Sequence, residues 1–289
     1  MRASVRHAAA ALLCLLLLCA CGSVPAPAER AAGGETALSV YCFDAGKADT
    51  FLLSTKRSAV LIDCGEKGFG KEILAYMEDA GIERLDCLIV THFDKDHVGG
   101  AAKVLNSVPV DTVLQSNRPK DSEQYEKYLK ALDGAGIEAQ TVRETLRFTL
   151  DGIEYAVDPP RQAEYSSDSS NNSSLIVSVR NGANTLLFTG DAEDERTAEF
   201  LGENHETYEL LKLPHHGRWQ STLPALIASV KPAYAVITSS DEEPEDEETM
   251  ALLAQAGVET YLTREGPVLF RCDGREIRVE TEENAEIAA

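Results

Sequence analysis

The segment that most restricts how this chain can fold is Thr91-His92-Phe93-Asp94-Lys95-Asp96-His97-Val98-Gly99-Gly100, entered directly from the apolar run Cys87-Leu88-Ile89-Val90. A short apolar run of this kind reads as a buried strand, so the charged residues must emerge where a loop leaves the sheet. His92, Asp94, Asp96 and His97 are all of metal-ligating type. A loop at a strand end can turn side chains two apart toward one ion and present the next pair to another. Histidine then supplies neutral nitrogen, and carboxylates offset the charge of the cation. The plain alternative is a solvated, charged loop. That alternative becomes costly if Asp191 converges on the same place, because like charges ~4 Å apart repel by ~4 kcal/mol at an effective dielectric near 20.

Around this segment the hydrophobic pattern alternates between strand and helix periods. Runs over Ala37 to Phe43, Thr50 to Ser54 and Ala59 to Asp63, separated by turn formers, predict an antiparallel meander. A helix over Lys71 to Ala80 presents Ile73, Leu74 and Met77 on one face and stops at Gly81. Val110 to Leu114, Leu175 to Arg180, Thr185 to Thr189, Leu210 to Leu213 and Ala233 to Ile237 read as strands. Ser122 to Leu132, Ala192 to Leu201, Leu223 to Val230 and Thr249 to Ala256 read as helices, and hairpins turn at Asp151-Gly152 and Asp273-Gly274. Meanders interspersed with β-α-β units in both halves imply two mixed sheets packed face to face with helices outside. That is an α/β, four-layer αββα sandwich.

The N-terminus carries Arg2 and Arg6, then a small and apolar run from Ala8 to Ala20 that ends at Cys21. The run is shorter than the roughly 20 residues needed to span hydrocarbon as a helix, so it reads as a signal peptide over residues 1–20. Leu18-Cys19-Ala20-Cys21 resembles the bacterial lipobox, which implies lipidation of Cys21; an ordinary secretory signal cut near Ala20 is the alternative. Residues 21–35, rich in Ala, Pro and Gly, read as a flexible tether, and residues 36–289 as one folded domain. The expected location is extracytoplasmic, with the membrane reached through a lipid anchor. Of seven cysteines, Cys42, Cys64, Cys87 and Cys272 fall in the domain, where buried free thiols are expected. The formal net charge of −21 gives no long-range attraction for polyanions. Part of it lies in the acidic run Asp241 to Glu248, read as a solvated loop leading into a helix.

The blocks Phe43-Asp44-Ala45-Gly46-Lys47-Ala48-Asp49-Thr50, Leu61-Ile62-Asp63-Cys64-Gly65 and His92 to Gly100 resemble the metallo-β-lactamase superfamily in its ComEC-type branch. Asn171-Asn172-Ser173-Ser174-Leu175-Ile176-Val177, Leu187-Phe188-Thr189-Gly190-Asp191-Ala192 and Leu211-Lys212-Leu213-Pro214-His215-His216-Gly217 follow in the order of the hydrolase domain of DNA-uptake competence proteins. The resemblance implies the αββα fold and a ligand set. His92 and Asp94 would hold a first metal, Asp96 and His97 a second, and Asp191 would bridge them. One of His215 and His216 completes the second site, with His215 taken as the ligand and His216 as a proton donor or substrate contact. Asp63 would orient the first motif, or simply cap its turn before Gly65. Two departures matter. Asp94 stands where the commonest motif has a second histidine, and ahead of Asp191 only Asp168, Asn171 and Asn172 stand in for another. The first site is richer in oxygen, which shifts preference from Zn²⁺ toward Mn²⁺ or Mg²⁺ or weakens that site, so one or two divalent ions are expected.

A divalent ion there would bring the pKa of water toward ~7 and polarise a substrate oxygen, with Asp96 accepting the proton. Lys212, Arg218 and Trp219 are expected around the mouth as cations and a stacking face, and Ser221 or Thr222 as donors to phosphate oxygens. Arg218 replaces the small hydroxyl residue usual in the branch, and His205 reads as surface. The expected function is hydrolysis of phosphodiesters, nucleic acid fragments or nucleotides, by a monomer with no protein partner. Alternatives are ester, thioester or lactam hydrolysis at the same site, or a non-catalytic metal-binding surface protein.

Overall fold

The computed structural model describes residues 37–281 apart from Ala163, Asp168 and Ser169. The signal peptide 1–20, Cys21, the tether 21–35, the first residue and the last eight residues of the 36–289 domain, and Asp168 lie outside the described residues.

Strands β1 (Leu38–Cys42), β2 (Phe51–Ser54) and β3 (Ala59–Ile62) form the antiparallel meander. Helix α1 (Gly70–Asp79) then crosses to β4 (Leu85–Val90), which lies parallel to β3. The chain passes through short helices α2 (Lys95–Val98) and α3 (Ala101–Leu105) into β5 (Val110–Gln115), α4 (Glu123–Ala135) and the short β6 (Gln140–Thr141). The second sheet repeats the scheme. Strands β7 (Leu146–Leu150), β8 (Ile153–Asp158), β9 (Ile176–Asn181) and β10 (Asn184–Phe188) are antiparallel. Helix α5 (Asp194–Glu203), β11 (Leu210–Lys212), α6 (Leu223–Val230), β12 (Tyr234–Ile237), α7 (Glu247–Ala256) and β13 (Glu259–Leu262) continue it in parallel. The hairpin of β14 (Val268–Cys272) and β15 (Ile277–Thr281) returns to the first sheet beside β1.

Side chains divide by strand parity. Phe51, Leu53 and Ile62 face the second sheet, where with Phe270 of their own sheet they share a core with Val177, Leu186 and Phe188, while Leu52, Leu61 and Leu88 face α1, α3 and α4. On the other side Leu187, Leu211 and Ile237 pack under α5, α6 and α7. Both faces of these strands are buried, which is why they read as unbroken apolar runs. The two mixed sheets and four layers are those expected from the sequence. Cys42, Cys64, Cys87 and Cys272 are buried free thiols. No helix among the described residues is long and apolar enough to cross a membrane.

Several element ends differ from expectation by one to three residues, and two short strands were not expected. Helix α5 starts at Asp194 instead of Ala192, because the Asn172 side chain accepts from the N–H groups of both Glu193 and Arg196 and caps the helix from outside its own sequence. Helix α7 takes in Glu247 and Glu248, whose charges suit the positive end of its dipole. Short and partly exposed, β6 and β13 lack a two-residue pattern long enough to be seen.

The parallel strands fix where chemistry can occur. The C-terminal ends of β3, β4, β10, β11 and β12 carry Asp63, the His92–His97 segment, Asp191, His216 and Thr238 to one edge of the sandwich. There the motif is pressed against the turn after β3. The Cys64 N–H donates to the His97 carbonyl at 2.7 Å, and a Cβ on Gly100 would stand 2.2 Å from the Cys64 carbonyl oxygen. That neighbour is backbone and cannot swing aside. Gly100→Ala should therefore lower stability by about 3 kcal/mol. Gly134→Ala, in α4 with nothing near its added Cβ, should raise it by about 0.5–1 kcal/mol. Urea denaturation reads both, and a Gly100→Ala protein as stable as the parent would refute this account of the motif glycines.

Candidate metal centre

Asp96, His97, Asp191 and His216 each bring one ligand atom to within 4.8 Å of the others. Nε2 of His97 lies 3.2 Å from Asp191 Oδ2, and Nε2 of His216 lies 3.0 Å from the same oxygen and 3.5 Å from Asp96 Oδ2. Both nitrogens are buried, yet neither makes a directed hydrogen bond. Buried nitrogens close to carboxylates but off the line of an N–H···O bond are arranged as ligands around a shared point. Two imidazoles and two carboxylates also match the donor types and charge of one divalent cation.

Each donor is held from behind. The Asp63 carboxylate accepts from the Thr91 N–H at 2.8 Å and the Thr91 hydroxyl at 2.6 Å, and its Oδ2 lies 2.8 Å from His97 Nδ1. That contact places the ring proton on Nδ1 and leaves the Nε2 lone pair facing the centre. Asp63 adopts a left-handed backbone, φ 57°, which a short polar residue tolerates best after glycine. His216 is fixed the same way. Its Nδ1 lies 2.9 Å from Thr238 Oγ1, whose own hydroxyl donates to Asp49 at 2.6 Å. The Asp191 N–H donates to Ser174 Oγ at 3.0 Å. Asp49, Thr238 and Ser174 were not singled out from the sequence; Asp49 and Ser174 lie in recognised blocks and Thr238 follows a strand, but none carries a pattern of its own.

Of the two adjacent histidines, the structure brings His216 and not the expected His215 to the donor set. Both have left-handed backbones, φ 47° and 54°, and Gly217 follows at 77°. A strained run of this kind points neighbouring side chains in directions that strand or helix spacing does not give. His216 turns into the donor set, while His215 stays at the rim, 3.3 Å from the Asn171 amide and 3.6 Å from Glu193.

Burial would lower the His97 and His216 pKa values, but Asp191, with Asp63 for the first and Asp96 for the second, reverses the effect and raises both. Burial opposes ionisation of Asp191 as well, yet His216, His97 and Lys212 hold its carboxyl well below the usual range. His92 is different. Burial, reinforced by neighbouring His97, pushes it down to about 4. Its Nδ1 lies 3.2 Å from Thr91 Oγ1, and its Nε2 is buried without a partner, 3.8 Å from Asp94. Asp94 itself accepts from Lys120 at 2.6 Å.

The basic mouth does not assemble. Lys212 is fully buried; its ammonium lies 2.5 Å from Asp49 and 3.4 Å from Asp191, and donates to the Gly190 carbonyl, so it sits behind the centre. Arg218 is at the rim, 3.3 Å from Asp246 and 3.6 Å from Glu243, both in the acidic run. Ser221 and Thr222 donate to Asp194. These side chains answer carboxylates of the chain itself. Trp219 is exposed and lines an open groove with His215, Arg218, Glu193, Asp194 and Glu195. His205 is exposed.

Residues 44–239 match the sequence model of the metallo-beta-lactamase superfamily, a span that includes every residue from Asp49 to Thr238. The chain is 28% identical over 210 residues to recombination protein 2 of Haemophilus influenzae, covering 71% of this chain and 24% of that protein. It is 29% identical over 208 residues to competence protein ComA of Neisseria gonorrhoeae, covering 71% of this chain and 27% of that protein. It thus spans about a quarter of the length of these curated relatives. The metallo-beta-lactamase fold protein YhfI from Bacillus subtilis superposes with a TM-score of 0.55 at 13% identity, covering 82% of this chain and 100% of that one. At that identity the likeness speaks for the fold alone.

Two outcomes test the geometry. His216→Ala should strip bound divalent metal from the protein and His215→Ala should not, as read by elemental analysis; the reverse result would restore the sequence-based order. Because Asp191 and its neighbours raise both pKa values, protons compete with an ion for His97 and His216. Metal affinity should then climb as pH rises toward those values and level off above them. Loading below those values should release protons, measurable by calorimetry in buffers of different ionisation enthalpy.

Proposed function

The chain belongs to the metallo-β-lactamase superfamily, and on that premise we propose that it is a metal-dependent phosphodiesterase of short nucleic acid fragments or nucleotides, held at the cell surface by a lipid on Cys21. The observation that carries the reading is the set of buried, undirected donors Asp96, His97, Asp191 and His216. A divalent ion held by them supplies Lewis acidity, acidifying water and polarising a phosphoryl oxygen. Asp96 is the most exposed of the four, at 15%, and sits on the substrate side, where its carboxylate can take the proton from incoming water. Asp63, Thr238 and Asp49 keep the two imidazoles aimed. Trp219, exposed beside His215, offers a base a face on which to stack.

The names of the relatives, a recombination protein and a competence protein, favour nucleic acid as the substrate class. Charge sets its size. A domain of net charge −21 repels a polyanion, and the groove beside the centre carries Glu193, Asp194 and Glu195. Short substrates therefore suit it better than duplex DNA. Those same groove carboxylates favour a second reading, in which the group hydrolysed is a neutral ester, thioester or lactam.

The metal-loaded domain should hydrolyse bis-(4-nitrophenyl) phosphate and short single-stranded DNA, with short strands preferred over long duplex and the preference narrowing as salt rises. Mn²⁺ should restore chelated protein at least as well as Zn²⁺, and Asp96→Asn should lose on the order of 10²-fold or more in turnover. Hydrolysis of a chromogenic cephalosporin alone, lost in Asp96→Asn, would transfer the function to the second reading. Separately, Cys21→Ser should abolish incorporation of labelled lipid and release the protein from the membrane fraction; continued labelling would refute the anchor.

A further inference from the structure

We infer that this centre holds one divalent ion, at Asp96, His97, Asp191 and His216, and that the ammonium of Lys120 supplies the second positive charge of the site, at Asp94. The inference rests on the metal-dependent reading above and refines it. The superfamily resemblance places a first ion between His92, Asp94 and Asp191, and the residues present do not fit one.

Asp94 is already neutralised. Lys120, in the stretch between β5 and α4, places Nζ 2.6 Å from Asp94 Oδ1 and 3.2 Å from Ser170 Oγ. Its side chain is 35% exposed, so burial does not force it there; the carboxylate is its chosen partner over open water. A divalent ion on Asp94 would have to share that carboxylate with an ammonium. Asp94 balances Lys120, so that carboxylate has its counter-charge without a metal.

The further donors an ion would need are also committed, among the described residues. The Asn171 amide lies 2.9 Å from Glu193 and 3.3 Å from His215. Asn172 spends its carbonyl oxygen on the first turn of α5 and its amide on Ser167. His92 Nε2 is buried without a hydrogen-bond partner, 3.8 Å from Asp94, and one nitrogen beside a carboxylate already paired with an ammonium does not make a site. With the Lys120–Asp94 pair closed on itself, a cation in the four-donor set is the charge of the centre left to meet a substrate, which suits a group with a single negative charge such as a phosphodiester.

Metal stoichiometry tests the inference without reference to any substrate. The full chain, loaded with Mn²⁺ and freed of excess, should retain one ion per chain by elemental analysis and give the paramagnetic resonance spectrum of an isolated Mn²⁺. Lys120→Gln, which frees Asp94, should gain a second ion and the spectrum of a coupled pair, while Lys120→Arg keeps one. Asp94→Asn provides an arm that does not depend on gaining a site, and should leave the single ion in place. Two ions in the parent, one in both parent and Lys120→Gln, or loss of the ion in Asp94→Asn would each overturn the inference and leave a metal-dependent enzyme standing. No ion in the parent would remove the metal-dependent reading together with it.

Discussion

Three carboxylates buried where the two sheets meet, those of Asp49, Asp63 and Asp191, are the constraint that the rest of the structure answers. An ionised carboxylate out of water must be paired and hydrogen-bonded or it costs several kcal/mol. Asp63 is met by Thr91 and His97, Asp49 by Lys212 and Thr238, and Asp191 by Lys212, His97 and His216. The partners come from the ends of β4, β11 and β12 and from the segments that follow them. The charges can be satisfied only if both sheets stack in register, so the site and the sandwich require one another.

This also separates two acidic groups that composition alone would merge. Asp49, Asp63 and His97 lie close enough to suggest a second cluster of ligands. Their oxygens are taken up, however, by an ammonium, two hydroxyls and a backbone N–H, and His97 turns its Nδ1 side to them. The opposite nitrogens of His97 and His216 have no such partners. Orienting carboxylates lie behind the rings and donor carboxylates in front, so the two imidazoles form a wall between structural charge and reactive charge.

Much of this was legible in the residues. Strands buried on both faces announce themselves as apolar runs, and the His92–His97 segment follows one of them directly, so the sandwich and the location of the centre could be read. Three features could not. The choice between His215 and His216 depends on consecutive left-handed residues, which spacing rules do not describe. Lys212 ends a strand near the centre, and a lysine there reads as exposed until the two carboxylates that bury it are known from the fold. Lys120 has no motif at all; its meaning comes from Asp94 and Ser170, which only the folded chain brings to its side.

The acidic run was read as solvent-facing, and its position gives it a consequence for the site. Glu243 and Asp246 lie against Arg218, and Glu243 also lies 3.1 Å from Lys47, so rim cations that could have drawn in a polyanion are compensated before any substrate arrives. In a chain of net charge −21, attraction for a negative group must then be generated at short range by the centre itself. The Debye length is about 8 Å at physiological ionic strength, so a charge recessed between two sheets acts only on groups that have already entered the groove. Filling the donor set with a cation would thus supply the local field that holds a negative group. A centre built this way discriminates by what can reach it over what merely carries the most charge.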